Sequence, residues 1–217
     1  MMGTMAPPRK RVQALAQGRP DGHGIAVPLA MQVAARIQER DWEAFTCEPT
    51  QLANGLRDLV DACAPGGVPV TMPEVLLDGN DPVGGIEAQT ALEATRRLRS
   101  SMGDRVALVA CLPGPAALPH GGDDTLALGK AFLGAGADAI VVLEHHGDTS
   151  ALSTLANVAR FHQAAALGCC ESHGLPVVER VPLTEPRPAT GMVMTTDTLP
   201  RGTDVSVLED WVAGVRG

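Results

Sequence analysis

Tyrosine is absent from this 217-residue chain, and aromatic residues together make up only 2% of it. A surface that stacks nucleic-acid bases needs aromatic platforms, so that class of partner is excluded first. Positive charge is also scarce: 17 Lys and Arg stand against 25 Asp and Glu, a net charge of −8. A phosphate-backbone ligand needs clustered cations, which this balance does not supply. No apolar run reaches the roughly 18–20 residues that span a bilayer. The basic start, Met1 to Arg11, is not followed by an apolar stretch, so it does not read as a secretory signal. The five cysteines, Cys47, Cys63, Cys111, Cys169 and Cys170, are odd in number and irregularly spaced. Without an export signal they read as reduced thiols of a cytoplasmic protein.

What is present is alternation. Short apolar runs rich in Val, Ile and Ala recur between helical patterns. Ile25–Leu29, Val106–Leu112 and Ala139–Leu143 read as buried strands, as do the stretches VPVTMPEVLLDG, LPVVERV and GMVMTTDTLP. Helices are expected over Pro8–Gln17, the stretches MQVAARIQERDWEAF and EPTQLANGLRDLVDACA, Ile86–Ser101, DDTLALGKAFLGAGA, TSALSTLANVARFHQAAALG and DVSVLEDWVAGVR. Strands without polar alternation, each followed by a helix, imply a parallel sheet covered on both faces. The fold expected is α/β and TIM-barrel-like, truncated to about six strands, since a full barrel usually takes about 250 residues. Residues 1–8 read as a flexible tail and 9–217 as one domain. The segment Pro182–Thr190 holds three prolines and no helical pattern.

Four stretches together resemble the uroporphyrinogen decarboxylase superfamily. RKRVQALAQGRPDGHGIAVPL (Arg9–Leu29) is similar to its opening helix and first strand. FLGAGADAIVVLEHH (Phe132–His146) and LPVVER (Leu175–Arg180) resemble two later strands, and TTDTLPRGTDVSVLEDWVAGVR (Thr195–Arg216) the last strand and helix. The chain departs from the family in three places. The arginine-rich R-x-x-G-R loop is missing. Only a short link separates Arg180 from Gly191. The His-x-Cys zinc motif of the family's methyltransferases is not reproduced, because Glu179 stands near the His position and no Cys follows.

In parallel α/β folds chemistry gathers at the carboxyl ends of the strands. That rule selects Glu74, Asp78, Cys111, Glu144, His145, His146, Glu179, Arg180, Thr196 and Asp197. The resemblance places an acid at Glu144. His145 or His146 would move a proton, since imidazole titrates near neutral pH. Asp197 would orient them. Arg180 would grip a substrate carboxylate, with Glu179, Asp78 and Cys111 lining the pocket. Adjacent strand residues face opposite ways, so Glu144 and His145 share a pocket only if the strand has already ended.

The resemblance implies a decarboxylase acting on a small carboxylated molecule without an organic cofactor. A second expectation is a methyltransferase, zinc- or corrinoid-linked, with zinc on His145, His146 or the cysteines. A third is a shortened barrel without catalysis, serving binding or assembly. No dedicated metal site is assigned. Cys169, Cys170 and His173 are read as a helix end lying away from the sheet's mouth. Missing βα units would leave sheet edges to be covered, which points to a homodimer.

Overall fold

The computed structural model describes residues 5–77, 81–143, 150–171 and 174–217. Seven strands and nine α-helices run through those residues. The chain opens with α1 (Pro8–Ala16), β1 (Gly24–Val27), α2 (Met31–Ile37), α3 (Trp42–Cys47) and α4 (Pro49–Cys63). It continues through β2 (Gly67–Thr71), α5 (Pro73–Leu76), α6 (Ile86–Met102), β3 (Ala107–Leu112) and α7 (Gly122–Ala135). It closes with β4 (Ala139–Val142), α8 (Ser150–Phe161), β5 (Ala165–Gly168), β6 (Glu179–Val181), β7 (Gly191–Thr195) and α9 (Val205–Arg216).

Local chemistry sets many of these boundaries. Pro49 opens α4, where its missing N–H costs nothing, and the Glu48 carboxylate accepts from the Thr50 and Gln51 N–H groups. Asp41 caps α3 by accepting from the Ala44 N–H, and Asp204 caps α9 by accepting from Ser206. Gly136, at φ +104°, ends α7 in the left-handed region that glycine enters without steric cost. The expected helix across MQVAARIQERDWEAF is two helices, because Glu39 turns left-handed at φ +54° and Asp41 starts a new cap.

The longer expected helix, through Leu167, is also overturned. α8 stops at Phe161, Gln163 adopts φ +57°, and Ala165–Gly168 forms β5 parallel to β4. Nothing in HQAAALG breaks a helix by propensity. The pairing with β4 decides it, which is tertiary context overriding a local preference.

All strand pairs are parallel and lie in two sheets, β2-β3-β4-β5 and β1-β7-β6. The sheets do not join into one hydrogen-bonded barrel. At one seam β1 and β2 pack without a ladder. There a Cβ on Gly66 would lie 3.0 Å from the Ile25 side chain, and one on Gly67 2.9 Å from Val27. At the other seam β5 meets the chain before β6 through a single bridge, Gly168 to Val177. β6 reaches only Val193–Thr195 of β7, so the amino-terminal half of β7 has no neighbour on that side. The architecture is thus a shortened, TIM-barrel-like ring.

The two faces of the ring follow the strand alternation. Ala26, Val181 and Val193 pack outward on Trp211, Val212 and Val215 of α9. Ile25, Val27, Met192 and Met194 belong to the main core on the other face. α1 contacts β1, β3, β5 and β7 and so lies across the amino-terminal end of the ring. Arg9 on α1 binds Asp138 at 3.0 Å and Asp104 at 3.1 Å. The opposite end, where the strands finish, is left to the loops.

Candidate functional site

Each strand delivers its last residues to one mouth. β2 ends at Thr71, followed by Glu74 on α5; β3 ends at Cys111 and Leu112; β5 ends beside Cys169 and Cys170; β6 carries Arg180; β7 ends at Thr195. Arg180 is in register with Met194, so its side chain shares that residue's inward face. Glu179, one residue earlier, is in register with Val193 on the outer face. There its carboxylate accepts from Arg187 at 3.2 Å. The two neighbours that were expected to line one pocket therefore point apart.

The Arg180 guanidinium is held in place by backbone. Its Nε donates to the Thr195 carbonyl at 2.8 Å, and Nη2 donates to the Thr196 carbonyl. It forms no ion pair among the described residues. Two of its nitrogens are committed to tying β6 to the end of β7, so it presents Nη1 rather than a full fork. Its charge reaches across the mouth. Burial pushes the Cys111 thiol far up, while Arg180 pulls it down and Glu74 pushes it higher. The Cys169 thiol is pushed up to about 11 by burial and by its hydrogen-bonded neighbour Cys170, again with Arg180 pulling down. Cys111 is fully buried. At neutral pH it is a protonated thiol in the wall, without the thiolate character that a nucleophile needs.

Thr195 fixes the rim beside Arg180. Its hydroxyl accepts from the Leu29 N–H at 3.1 Å and donates to the Asp197 carbonyl at 2.9 Å. Asp197 takes part through that carbonyl, and the residue is exposed. Thr71 is fully buried at the end of β2, and its hydroxyl oxygen has no partner among the described residues.

Two placements were not legible in the sequence. Cys169 and Cys170 were expected at a helix end away from the mouth. They follow strand β5 directly, and the Cys169 N–H donates to the Val142 carbonyl of β4 at 3.1 Å. They belong to the mouth, because β5 exists. Thr195 was hidden by its ordinariness: only the approach of β1 to β7 gives its hydroxyl two partners. Asp78, Glu144, His145, His146 and His173 lie outside the described residues. Among the described residues no group of three or more His, Cys, Asp or Glu side chains gathers as metal ligands. A protein zinc site takes three or four such ligands, so the described thiol pair alone does not make one.

No family model and no curated protein matches the sequence. A solved structure does: a methyltransferase from Methanosarcina mazei superposes with a TM-score of 0.75. The alignment covers 97% of this chain and 98% of that one, at 12% sequence identity. At such identity the likeness speaks for the fold alone. It extends over nearly the whole of both chains, so the shortened ring is an arrangement shared with that protein. No helix among the described residues is long and apolar enough to cross a membrane.

Proposed function

We propose that this chain is a methyltransferase working at the carboxyl-end mouth, with Arg180 holding an anionic group of a small substrate. The observation that carries the reading is the end-to-end likeness to a methyltransferase of equally short build. The inward-facing guanidinium of Arg180 supports the choice of an anion. Methyl transfer is a displacement at carbon, and the protein's main task is to hold donor and acceptor in line and exclude water. A rim locked by Thr195 and a guanidinium locked by two carbonyls suit that task. The residues act by binding and orienting. No step is assigned to zinc, because the described residues do not complete a site for it. The decarboxylase expectation has no comparable likeness behind it, so methyl transfer is the reading carried forward.

The test is an assay of methyl transfer from methylcobalamin to small thiols with and without a carboxylate or sulfonate group, followed by loss of methylcobalamin absorbance. Turnover should favour the anionic thiols. Arg180→Met should raise KM for them roughly 10- to 100-fold, the worth of one charge-assisted hydrogen bond. Neutral thiols should be little affected. A melting curve of the variant separates lost binding from lost folding. Absence of methyl transfer from any corrinoid donor, together with CO₂ release from small carboxylates, would restore the decarboxylase reading.

A further inference from the structure

The amino-terminal end of the ring, away from the mouth, carries a cavity of its own of about 320 Å³. Small-molecule sites span about 300–1,000 Å³, so it has room for one modest ligand. Its wall comes from separate parts of the chain: residues 5–8 at the start of α1, Val60 and Ala64 at the end of α4, Pro65, Arg105 ahead of β3, and Arg216 in the last turn of α9. Much of that wall is proline. Pro7, Pro8 and Pro65 have almost no side-chain freedom to lose when a ligand settles on them.

The charged side chains in the wall are Arg105 and Arg216, with no carboxylate among them. In a chain with 25 Asp and Glu against 17 Lys and Arg, a cavity charged only by cations runs against composition. Arg105 is exposed at the rim, where its Nη2 donates to Asp61 at 2.7 Å. Arg216 makes no ion pair among the described residues; it donates to the Ala64 carbonyl at the end of α4. That capping bond uses one of the five N–H donors of the guanidinium. Burial holds the Arg216 guanidinium below its ordinary pKa, and the positive charge of Arg11 nearby lowers it further. Arg11 is balanced by Asp21 and Arg105 by Asp61, so Arg216 leaves one positive charge over.

We infer that this cavity binds a small organic monocarboxylate, its charge on Arg216 with Arg105 beside it and its apolar body against the prolines and Val60. One surplus positive charge calls for one negative charge, and a guanidinium offers a carboxylate paired N–H donors. The apolar wall calls for a body that a bare inorganic ion lacks. The cavity lies at the end of the ring away from Arg180, so its occupant is not the substrate of the mouth. Bound there, the carboxylate ties the segment ahead of α1 to the ends of α4 and α9. The inference does not depend on methyl transfer.

Isothermal titration calorimetry of the full chain tests it, with benzoate and hexanoate as probes. Acetate serves as the charge without a body, and benzyl alcohol as the body without a charge. At least one of the two probe acids should bind with a stoichiometry near one, and roughly 10-fold or more tighter than either control. Arg216→Gln should weaken that binding roughly 10- to 100-fold, the worth of one charge-assisted hydrogen bond, and Arg216→Lys should recover part of it. Asp61→Asn, which frees Arg105 from its partner, should tighten it. Ala6→Trp, which sets an indole on the exposed side of the cavity, should abolish it; Ala6 is exposed, so the melting temperature should not fall. Melting curves of every variant separate lost binding from lost folding. Failure of both acids to bind at millimolar concentrations overturns the proposal. So does acetate binding as tightly as they do, or binding indifferent to both Ala6→Trp and Asp61→Asn.

Discussion

At Thr195 one hydroxyl accepts from a buried backbone N–H and donates to a carbonyl two residues on. Replacing it by Val keeps the shape and strands the Leu29 N–H. The cost should be about 1–3 kcal/mol in a urea denaturation, the penalty of an unsatisfied buried donor. A charge at a helix start behaves differently, because its effect depends on pH. The Ser206 N–H holds the Asp204 carboxyl below its ordinary value of 3.8, helped by the Ser206 hydroxyl. A depressed carboxyl contributes stability above its unfolded-state value and loses it as pH falls through the folded one. Between pH 5 and pH 3 the wild type should therefore lose stability that Asp204→Asn, which cannot ionise, does not. Parallel curves for the two proteins would refute the assignment.

At the scale of elements, the change from α8 to β5 turns on Gln163. A side chain in the left-handed region costs roughly 1–2 kcal/mol, and glycine avoids it at an entropic cost of about 0.5–1 kcal/mol. Gln163→Gly should thus leave stability unchanged or raise it by up to about 1 kcal/mol, measured as a shift in the denaturation midpoint. This junction is also where the sequence was least legible. Ala165, Ala166 and Leu167 are strong helix formers, and no Gly or Pro separates them from α8. By contrast, β3 and β4 were legible, because Val106–Leu112 and Ala139–Leu143 are short unbroken apolar runs between clear stops. The same error hid the position of Cys169 and Cys170, since a cysteine is assigned to a mouth only once its strand is known.

At the scale of the whole molecule, α1 is fastened across the amino end of the ring by a buried network. Asp138, only 4% exposed, accepts from Arg9, Arg99 and the Leu108 N–H. Burial pushes its carboxyl up despite the pull of both arginines. The charges thus lose much of what their attraction returns, as buried pairs commonly do. Removing one partner is another matter. Asp138→Ala leaves the Leu108 N–H without its acceptor, Arg9 with Asp104 alone and Arg99 with carbonyl partners only, and should cost about 3–5 kcal/mol in denaturation. A smaller loss than from Thr195→Val would show that α1 is held by apolar packing alone.

The α/β alternation and the parallel arrangement could be read from residue pattern. Burial on both faces leaves its mark in runs of apolar residues, and strand direction follows from the helices between. Register, closure and side-chain direction belonged to the tertiary structure. They depend on which strands meet, a long-range fact that no local window contains. Hence Glu179 faces out while Arg180 faces in, β5 replaces half of a helix, and the ring is left with a slot where β6 falls short.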